Sequence, residues 1–568
     1  MINGGRMLLE SLHRLGITDI FGYPGGAIIP IFDEIYSYDN INYYFARHEQ
    51  GLSHAADGYA RVSGKVGVCL ATSGPGATNL VTGIMTAHMD SVPLLAITGQ
   101  VRSNLLGRDA FQETDIVGIT VPITKGNYLV QNIKDIPRII KEAYFIASTG
   151  RPGPVLVDIP NDIQQQEISY DEFNKLFDKE VQLEGYEPTY VGHPVQIKRA
   201  LSLIKKSKKP LIIAGAGVMK SGASKELLEL ANKMDIPVTT TLLGLGAFPE
   251  NHELSLGMLG MHGTVPANYA TDEADLVIAA GIRFDDRIAG NPSKFCERAK
   301  IIHIDIDPAE IDKNKKADVP IVGDLKNVLS EINKELEPQD HKEWTDKVKE
   351  WKKEYPLAHR DVGKDKLLPQ EVLKAINDIL DGDTIVVTDV GQHQMWAAQY
   401  MTYKNANSIV TSGGAGTMGF GVPAAIGAQV GARDKKVVLI VGDGGFQMTL
   451  EEIMMIRQYN LPVKIVIINN SFLGMVRQWQ ELFKDRRYSF VDLECNPDFV
   501  KIGDAYGIKA ERLQTKADLE NKLKDLILSD EGVILDCIVE KEENVFPMIP
   551  AGKTVSQMIG KKGVLEND

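Results

Sequence analysis

The sequence predicts an α/β protein of three domains, each with a parallel sheet flanked by helices. Short apolar runs rich in β-branched residues alternate with longer stretches of helical periodicity, which is the pattern of consecutive strand–helix–strand units. The length of 568 residues is too great for one hydrophobic core and suffices for about three. We therefore expect three packed domains joined by linkers.

Changes in composition place the boundaries between these domains. Residues 1–165 and 366–550 carry α/β patterns, and a third pattern of this class covers residues 190–330. The intervening stretches are polar or highly charged, so we interpret 166–192 and 331–365 as linkers.

Two smaller features lie outside these domains. Trp344 and Trp351 stand seven residues apart in the second linker and predict a surface helix with one apolar stripe. Residues 551–568 are expected to form a C-terminal tail that is mobile from Gly560 onwards.

The first and third domains share a motif. The sequence TSGPG at residues 72–76 resembles TSGG at 411–414, and each is expected to open a helix of small residues. We interpret this similarity as an old duplication of one domain type, with the middle domain different.

In the first domain, Glu49 follows a short strand predicted at 43–45 and begins a helix whose apolar residues recur with helical spacing. A glutamate at this position could simply favour the helix dipole. It could also carry chemistry at the edge of the sheet, and the local pattern alone leaves both interpretations open.

The middle domain has repeated strand and glycine-turn patterns. Apolar runs at 211–217 and 276–281 end in glycine, and the run that begins at Ile301 reaches the acidic residue Asp305. Single glycine turns are weak signals, but their repetition beside an acidic strand end favours a nucleotide site.

The clearest pattern in the third domain is a strand, a helix and a strand. Residues 437–441 and 463–468 are apolar runs that suit strands buried on both faces. Between them, Thr449 and Glu452 have the spacing of a capping box, which predicts a helix that begins near Leu450.

Polar residues follow both of these strands. The segment Gly442–Gly445 contains Asp443, and Asn470 follows the second strand. The carboxyl ends of parallel strands are where ligands bind in open sheets. Carboxylate and amide oxygens suit Mg²⁺, and backbone N–H groups of small residues can bind a diphosphate. Each turn alone could be ordinary, but together they resemble the GDG…NN signature of thiamine-diphosphate (ThDP) enzymes.

Composition excludes several classes of function. The net charge of −14 argues against a nucleic-acid or anionic-membrane surface. No apolar run approaches the length of a bilayer span, and the N-terminal residues have no signal-peptide pattern. The four cysteines form no CxxC pair, so neither a zinc site nor a disulfide framework is indicated, and a cytoplasmic location is expected.

Motifs along essentially the whole chain resemble the catalytic (large) subunit of acetohydroxyacid synthase, also called acetolactate synthase. They include RHEQGLSHAADGYAR, TSGPGATN, DAFQETDI, LGMLGMHGT, GIRFDDR, HIDIDPAEI, GDGGFQM and NNSFLGMVRQWQ. The resemblance implies a pyrimidine-binding, an FAD-binding and a diphosphate-binding domain. It also implies a homodimer or homotetramer with ThDP between subunits, and a separate small regulatory subunit.

The resemblance implies a reaction. Glu49 would hydrogen-bond the cofactor's aminopyrimidine and promote loss of the thiazolium C2 proton. Pyruvate would be decarboxylated on ThDP, and the hydroxyethyl unit would condense with a second 2-keto acid. The acceptor pyruvate gives 2-acetolactate and 2-ketobutyrate gives 2-aceto-2-hydroxybutyrate, the first common step of branched-chain amino-acid biosynthesis. FAD would be structural or regulatory because the net reaction transfers no electrons.

The resemblance also assigns residues, each by matching position. The metal ligands would be Asp443, Asn470 and the backbone carbonyl of Phe472. The catalytic or substrate-channel residues would be Glu49, Phe111, Gln112, Lys125 and Trp479. The residues that contact ThDP or FAD would be Glu49, Gly76, Arg151, Gly215, Gly217, Thr241, Leu242, Leu259, Gly260, Met261, His262, Gly281, Arg283, Asp285, Arg287, Asp305, Ile306, Gly323, Asp324, Gln392, His393, Gln394, Met395, Gly413, Gly414, Gly416, Met418, Gly442, Asp443, Gly444, Gly445, Asn470 and Met475.

Other interpretations remain in competition. A pyruvate oxidase or glyoxylate carboligase would also use FAD and ThDP, although the carboligase lacks the glutamate at position 49. A catabolic acetolactate synthase would lack FAD. A non-catalytic paralogue is disfavoured because Glu49, Asp443 and Asn470 are all present. Departures from the family pattern at Arg108, Gly126, Ala415 and Gly445 leave the channel shape and the response to inhibitors open.

Overall fold

The computed structural model describes residues 1–564 of the chain. Within this range, three six-stranded sheets are each wholly parallel, and a two-stranded antiparallel sheet joins the ends of the first domain. No helix among these residues is both long and apolar enough to cross a membrane.

The first domain contains strands β2–β7 in the order β3-β2-β4-β5-β7-β6. Its elements are β1 (Ile2–Asn3), α1 (Gly4–Arg14), β2 (Asp19–Gly22), α2 (Ile29–Ile35), β3 (Asn42–Phe45), α3 (Glu49–Ser63), β4 (Gly67–Ala71), α4 (Pro75–Asn79), α5 (Val81–Met89), β5 (Leu94–Gln100), α6 (Ile116–Thr120), β6 (Gly126–Leu129), α7 (Ile136–Ser148), β7 (Pro154–Pro160), α8 (Asn161–Gln165), β8 (Glu167–Ile168) and α9 (Tyr170–Phe177).

The middle domain has a different strand order, β11-β10-β9-β12-β13-β14. Its elements are α10 (Pro194–Ile204), β9 (Pro210–Ala214), α11 (Ala216–Lys220), α12 (Ser224–Lys233), β10 (Val238–Thr240), β11 (Ser255–Met258), α13 (Val265–Glu273), β12 (Leu276–Ala280), α14 (Asp286–Ala289), β13 (Lys300–Asp305), β14 (Val319–Val322), α15 (Leu325–Glu335) and α16 (Lys342–Glu354). Numbered within the domain, the order is 3-2-1-4-5-6, that of dinucleotide-binding sheets.

The third domain has strands β15–β20 in the order β16-β15-β17-β18-β20-β19. Its elements are α17 (Pro369–Ile379), β15 (Ile385–Thr388), α18 (Gln392–Tyr400), β16 (Ile409–Val410), α19 (Gly421–Gly431), β17 (Val437–Gly442), α20 (Asp443–Gln447), α21 (Ile453–Gln458), β18 (Lys464–Asn469), α22 (Gly474–Phe483), α23 (Phe499–Tyr506), β19 (Lys509–Leu513), α24 (Lys516–Asp518), α25 (Lys524–Leu528) and β20 (Val533–Ile538).

The first and third sheets have one topology. Numbered within each domain, both orders are 2-1-3-4-6-5. This identity supports the duplication inferred from the two TSG segments, and the middle domain is indeed of another type. One detail differs from the expectation: residues 411–420 form a loop before α19, whereas α4 begins directly at Pro75.

Helices α3 and α19 join the first domain to the third. A Cβ at Gly58 would overlap the backbone carbonyl of Ala424, and a Cβ at Gly427 would overlap that of Ala55. The two backbones therefore approach each other more closely than side chains would allow. Apolar residues of both domains form one buried cluster around this crossing.

The predicted first linker is partly wrong. Residues 167–168 pair with Ile2 and Asn3, and α9 packs on the first domain through the fully buried Phe173. The amphipathic pattern of α9 is only two turns long, which is why composition hid it. The predicted surface helix in the second linker is confirmed as α16, where Trp344 is buried and its indole N–H donates to the carbonyl of Pro210 at 3.0 Å.

Two further predictions need correction. The capping box is wrong: the Thr449 hydroxyl donates to the carbonyl of Gly419, and the Glu452 carboxylate accepts from the first domain, although a 3₁₀ turn does begin at Leu450. The C-terminal tail is packed as far as Gly563, with Met558 buried against other apolar residues. Residues 565–568 lie outside the described residues.

Candidate active site

A small cavity of about 60 Å³ lies at the carboxyl ends of β17 and β18. These strands are parallel neighbours, with Gly442 paired to Ile468. Asp443 begins α20 directly after β17, and Asn470 follows β18, so the sheet brings the two side chains to one edge. The predicted residues that line this cavity are Gln392, His393, Met418, Gly442, Asp443, Gly444, Gly445, Asn470, Phe472 and Met475.

The polar groups of this cavity are buried. Asp443 is 1% exposed, and burial raises the pKa of its carboxyl group to about 6. Its Oδ2 accepts a hydrogen bond from the side-chain amide of Asn496 at 2.6 Å. Asn470 accepts from the backbone N–H of Phe472 at 3.1 Å and donates to Gln392 at 3.3 Å. A cation would offset the cost of burying the Asp443 charge.

The donor set fits Mg²⁺ better than a transition metal. Asp443 and Asn470 supply hard oxygen atoms, which Mg²⁺ prefers. Among residues 1–564 no group of three or more His, Cys, Asp or Glu side chains could hold a metal. A metal ion here would therefore need further oxygen atoms from water or from a bound phosphate, as Mg²⁺ commonly does.

The glycines of this turn were predicted to let backbone N–H groups approach a diphosphate, and close packing around the turn also requires them. A Cβ at Gly442 would lie 2.9 Å from the ring of His393, and a Cβ at Gly445 would overlap the carboxylate of Asp389. Asp389 is itself fully buried and accepts from the backbone N–H groups of Gly419 and Gly421. The glycine turn is thus packed between two polar side chains.

A second cavity of about 660 Å³ lies between the three domains. Its volume is within the range of small-molecule sites. It is formed by the ends of β9, β12 and β13, where the strand order of the middle sheet reverses. The predicted residues that line it are Arg151, Gly217, Thr241, Leu242, Leu259, Met261, His262, Gly281, Arg283, Asp285, Arg287, Asp305, Ile306, Asp324, Gln394, Met395, Gly413, Gly414, Gly416, Met418, Met475 and Trp479.

The large cavity contains both arginine side chains and buried acidic side chains. Arg151 forms ion pairs with Glu310 at 2.7 Å and Asp307 at 3.2 Å. Burial raises the pKa of Asp305 to about 6 and lowers that of His262 to about 4. A neutral imidazole, buried carboxyl groups and cationic rims suit a ligand with hydroxyl, amide and phosphate groups.

A buried ion cluster fixes one wall of this cavity. Arg61 pairs with Asp57 and with Asp90, the latter at 2.9 Å. Asp90 also accepts from the backbone N–H groups of Gly413 and Gly414. The cluster therefore ties the glycine loop of the third domain to the first. Asp90 is not among the residues predicted from the sequence, because it follows no strand and belongs to no recognised motif.

Several predicted residues line neither cavity of this chain within residues 1–564. Glu49 is half-buried at the start of α3, where it accepts from Asn79 at 3.0 Å, and Gly76 lies beside it. Phe111 is 88% exposed on a loop, and Gln112 adopts a left-handed backbone conformation. The residues outside both cavities are Glu49, Gly76, Phe111, Gln112, Lys125, Gly215, Gly260 and Gly323.

Lys125 has a structural position in this chain. Its ammonium group donates to the carbonyl oxygen of Thr149 at 2.8 Å and to the hydroxyl of Tyr186 at 2.9 Å, and it also donates to Ile146. These carbonyl groups lie at the C-terminus of α7, where a cation is favourable. Burial lowers the pKa of Lys125 to about 8. Gly215 and Gly260 pack against Gly281 and Arg287 of the large cavity, whereas Gly323 packs against Gly192 and Val328.

Comparison with known proteins gives a consistent result over the whole chain. Family models described as thiamine pyrophosphate enzyme N-terminal TPP-binding, central and C-terminal TPP-binding domains match residues 2–119, 197–332 and 389–537. The acetolactate synthase large subunit of Lactococcus lactis is 48% identical over 569 aligned residues, which cover 100% of this chain and 97% of that protein.

Two other relatives agree. A probable acetolactate synthase large subunit of Methanocaldococcus jannaschii is 48% identical over 98% of this chain and 95% of its own length. The acetolactate synthase large subunit of Corynebacterium glutamicum is 48% identical over 98% of this chain and 90% of its own length. The chain belongs to the acetolactate synthase large-subunit family.

Membership of the acetolactate synthase family confirms the predicted fold class and the resemblance. The first and third domains are ThDP-binding domains, and the chain is a ThDP-dependent enzyme of this family. Glu49 lies in the matched range of one ThDP-binding domain and Asp443 in that of the other. The geometry places these two acidic residues at the strand ends of two duplicated sheets.

Proposed function

We propose that the chain decarboxylates pyruvate and joins the resulting two-carbon unit to a second 2-keto acid. The products would be 2-acetolactate from pyruvate and 2-aceto-2-hydroxybutyrate from 2-ketobutyrate, in branched-chain amino-acid biosynthesis. The observation that carries the proposal is full-length similarity to acetolactate synthases in a chain that keeps Glu49 and the buried Asp443–Asn470 pair.

Mg²⁺ would be held by Asp443, Asn470 and the backbone carbonyl of Phe472, and would bind the diphosphate of ThDP. ThDP would supply a carbon nucleophile and an electron sink for decarboxylation. Glu49 would hydrogen-bond the aminopyrimidine and hold a proton there. The apolar walls that include Met418 and Met475 would exclude water from the reacting centre.

FAD would occupy the large cavity. The reversal of strand order at this site, the cationic rim with Arg283 and the buried carboxyl group of Asp305 support this assignment. Trp479 lines the same cavity near Met475, so it would border both the flavin and the acceptor keto acid. An aromatic wall of this kind discriminates one methylene by about 1–3 kcal/mol.

The active unit would be a homodimer or homotetramer with its sites between subunits. This arrangement is supported by the position of Glu49, which lines neither cavity of its own chain within the described residues. A second copy would bring its Glu49 to the Asp443 cavity. A separate small regulatory subunit and a cytoplasmic location remain predictions; the four unpaired cysteines suit a reducing compartment.

Product analysis tests the proposal. Purified protein receives ThDP, Mg²⁺ and FAD with equal pyruvate and 2-ketobutyrate, and Asp443→Asn serves as the inactive control. Mostly 2-aceto-2-hydroxybutyrate is expected. Acetolactate alone, formed equally well without FAD, would indicate a catabolic synthase. Acetate or acetyl phosphate with reduced flavin would indicate a pyruvate oxidase and contradict the proposal.

A further inference from the structure

The backbone that leads into Glu49 is held by side chains of the third domain. The carboxylate of Glu452 accepts from the backbone N–H of Arg47 at 3.0 and 3.1 Å and from that of His48 at 2.8 Å. The hydroxyl of Tyr459 accepts from the N–H of Phe45 at 2.7 Å. The last residues before α3 are therefore bonded to the segment 452–459.

Glu452 is built closely into this contact. Its side chain is fully buried, and a Cβ on Gly51 in the first turn of α3 would overlap its carboxylate. Burial raises the pKa of Glu452 to about 7, while the N–H donors of Arg47 and His48 oppose that rise. The buried carboxylate thus satisfies two backbone donors that would otherwise be costly to leave unpaired.

We propose that Glu452 is a positioning residue for Glu49. The proposal rests on the function above, in which Glu49 acts on the aminopyrimidine of ThDP. Glu49 directly follows His48, so the two hydrogen bonds of Glu452 fix the point at which its side chain leaves the backbone. A catalytic group displaced by about 1 Å can lose about 10²-fold in rate, so the position of this backbone matters for activation.

The same carboxylate could instead serve only to join the two domains. In that case its loss would lower thermal stability without changing the chemistry of folded, cofactor-loaded protein. The two roles are separable because the amides of Arg47 and His48 can be followed without any cofactor. The activation of ThDP can be followed without turnover, as exchange of its C2 proton for deuterium.

Four variants test separately the charge of the Glu452 side chain, its length, and whether the adjacent glutamate has the same effect. Glu452→Ala removes the hydrogen-bond acceptor. Glu452→Asp keeps the charge but shortens the side chain, and it replaces the alanine variant in the test if that variant does not fold. Glu452→Gln keeps an oxygen at Oε1, the atom that accepts from both N–H groups. Glu451→Gln is the matched control, an adjacent glutamate whose side chain is only half-buried.

The experiment measures amide hydrogen exchange over residues 45–52 in cofactor-free protein, the affinity for ThDP, and the C2 exchange rate of bound ThDP. We expect Glu452→Ala and Glu452→Asp to speed amide exchange there. They should slow C2 exchange by roughly tenfold to a hundredfold, with little change in ThDP affinity. Glu452→Gln should restore most of the rate, and Glu451→Gln should match the wild type.

Two results would overturn the proposal. Unchanged amide exchange in Glu452→Ala would mean that the contact does not hold this backbone. Faster amide exchange with a wild-type C2 rate would mean that Glu452 only joins domains. A different result would contradict the proposed function itself: wild-type protein that binds ThDP but neither exchanges its C2 proton nor consumes pyruvate. Amide exchange would still show in that case whether Glu452 holds the backbone before Glu49, so the two failures are distinguishable.

Discussion

At the scale of single residues, the candidate site contains two acidic side chains in contrasting surroundings. Asp443 is buried at a sheet edge and bonded to Asn496, as expected of a group that holds a cation. Glu49 is half-buried and accepts a hydrogen bond from Asn79. The two residues therefore suit the different tasks that the proposed reaction assigns to them.

Replacing Glu49 tests the catalytic assignment. Glu49→Gln keeps the size of the side chain and an acceptor for Asn79, but it cannot hold a proton in the same way. We expect turnover to fall by about 10²-fold or more, the usual contribution of acid–base catalysis. Mg²⁺-dependent ThDP binding should be retained, as measured by titration. Near-normal turnover would remove Glu49 from the mechanism.

Asp158 provides a prediction about pH. This strand residue accepts from Thr98 at 2.6 Å and Gln100 at 2.8 Å, and burial raises its pKa to about 7. The folded state thus binds the proton of Asp158 more tightly than the unfolded state does. The contribution of this proton to the free energy of unfolding is therefore full below about pH 4 and declines as the pH rises to about 7.

Thermal unfolding across that pH range checks the sign. The midpoint of the wild type should fall relative to that of Asp158→Asn as pH rises from 5 to about 8, because the variant has no charge to bury. A difference between the two proteins that stays constant with pH would show that Asp158 keeps an ordinary pKa.

At the scale of elements, the crossing of α3 and α19 decides how the duplicated domains meet. Both helices carry glycine where the partner backbone passes, and both contribute to one buried apolar cluster. Because α3 begins with Glu49, this crossing also sets where the start of α3 lies relative to the third domain. Helix propensity alone would favour alanine at these positions.

The substitution Gly58→Ala has two opposite effects on stability, a gain in helix propensity and a loss from overpacking. Alanine in a helix interior gains about 1 kcal/mol over glycine, but the added Cβ would overlap the carbonyl of Ala424, and overpacking costs about 1–3 kcal/mol. We expect a lower thermal midpoint. Gly126→Ala is the control, since its nearest contact would be 3.8 Å away. A stabilised Gly58→Ala protein would show that the helices can separate at little cost.

Across the whole molecule, neither of the two cavities described above is lined by both Glu49 and Asp443. The Asp443 cavity adjoins the large cavity through Met418 and Met475, yet Glu49 lies on neither within the described residues. A dimer in which each site takes Glu49 from one copy and Asp443 from the other would complete both sites.

Mixing two inactive variants tests this arrangement. Glu49→Gln and Asp443→Asn subunits, dissociated and reassembled in equal amounts, should recover about one quarter of wild-type activity. Half of the dimers would be mixed, and each would hold one intact site of two. Each variant reassembled alone is the control. Absence of recovery, despite mixed dimers seen by mass spectrometry, would place each site within one chain.

Local sequence patterns were enough to predict the fold class, the family and the residues at the strand ends. Apolar runs, glycine turns and motif order are local properties, so β12 and the two strands around Asp443 lie where the sequence placed them. About half of the residues that line the two cavities were predicted from the resemblance. These assignments needed no knowledge of how distant segments pack.

The hydrogen-bond partners of several predicted residues depend instead on how distant segments pack. Thr449 and Glu452 have capping-box spacing, but their side chains bond to Gly419 and to the first domain, because those distant donors and acceptors are buried beside them. Lys125 likewise binds the end of α7. These hydrogen bonds join residues 24, 30 and 404 positions apart, so they depend on packing, which a local pattern does not encode.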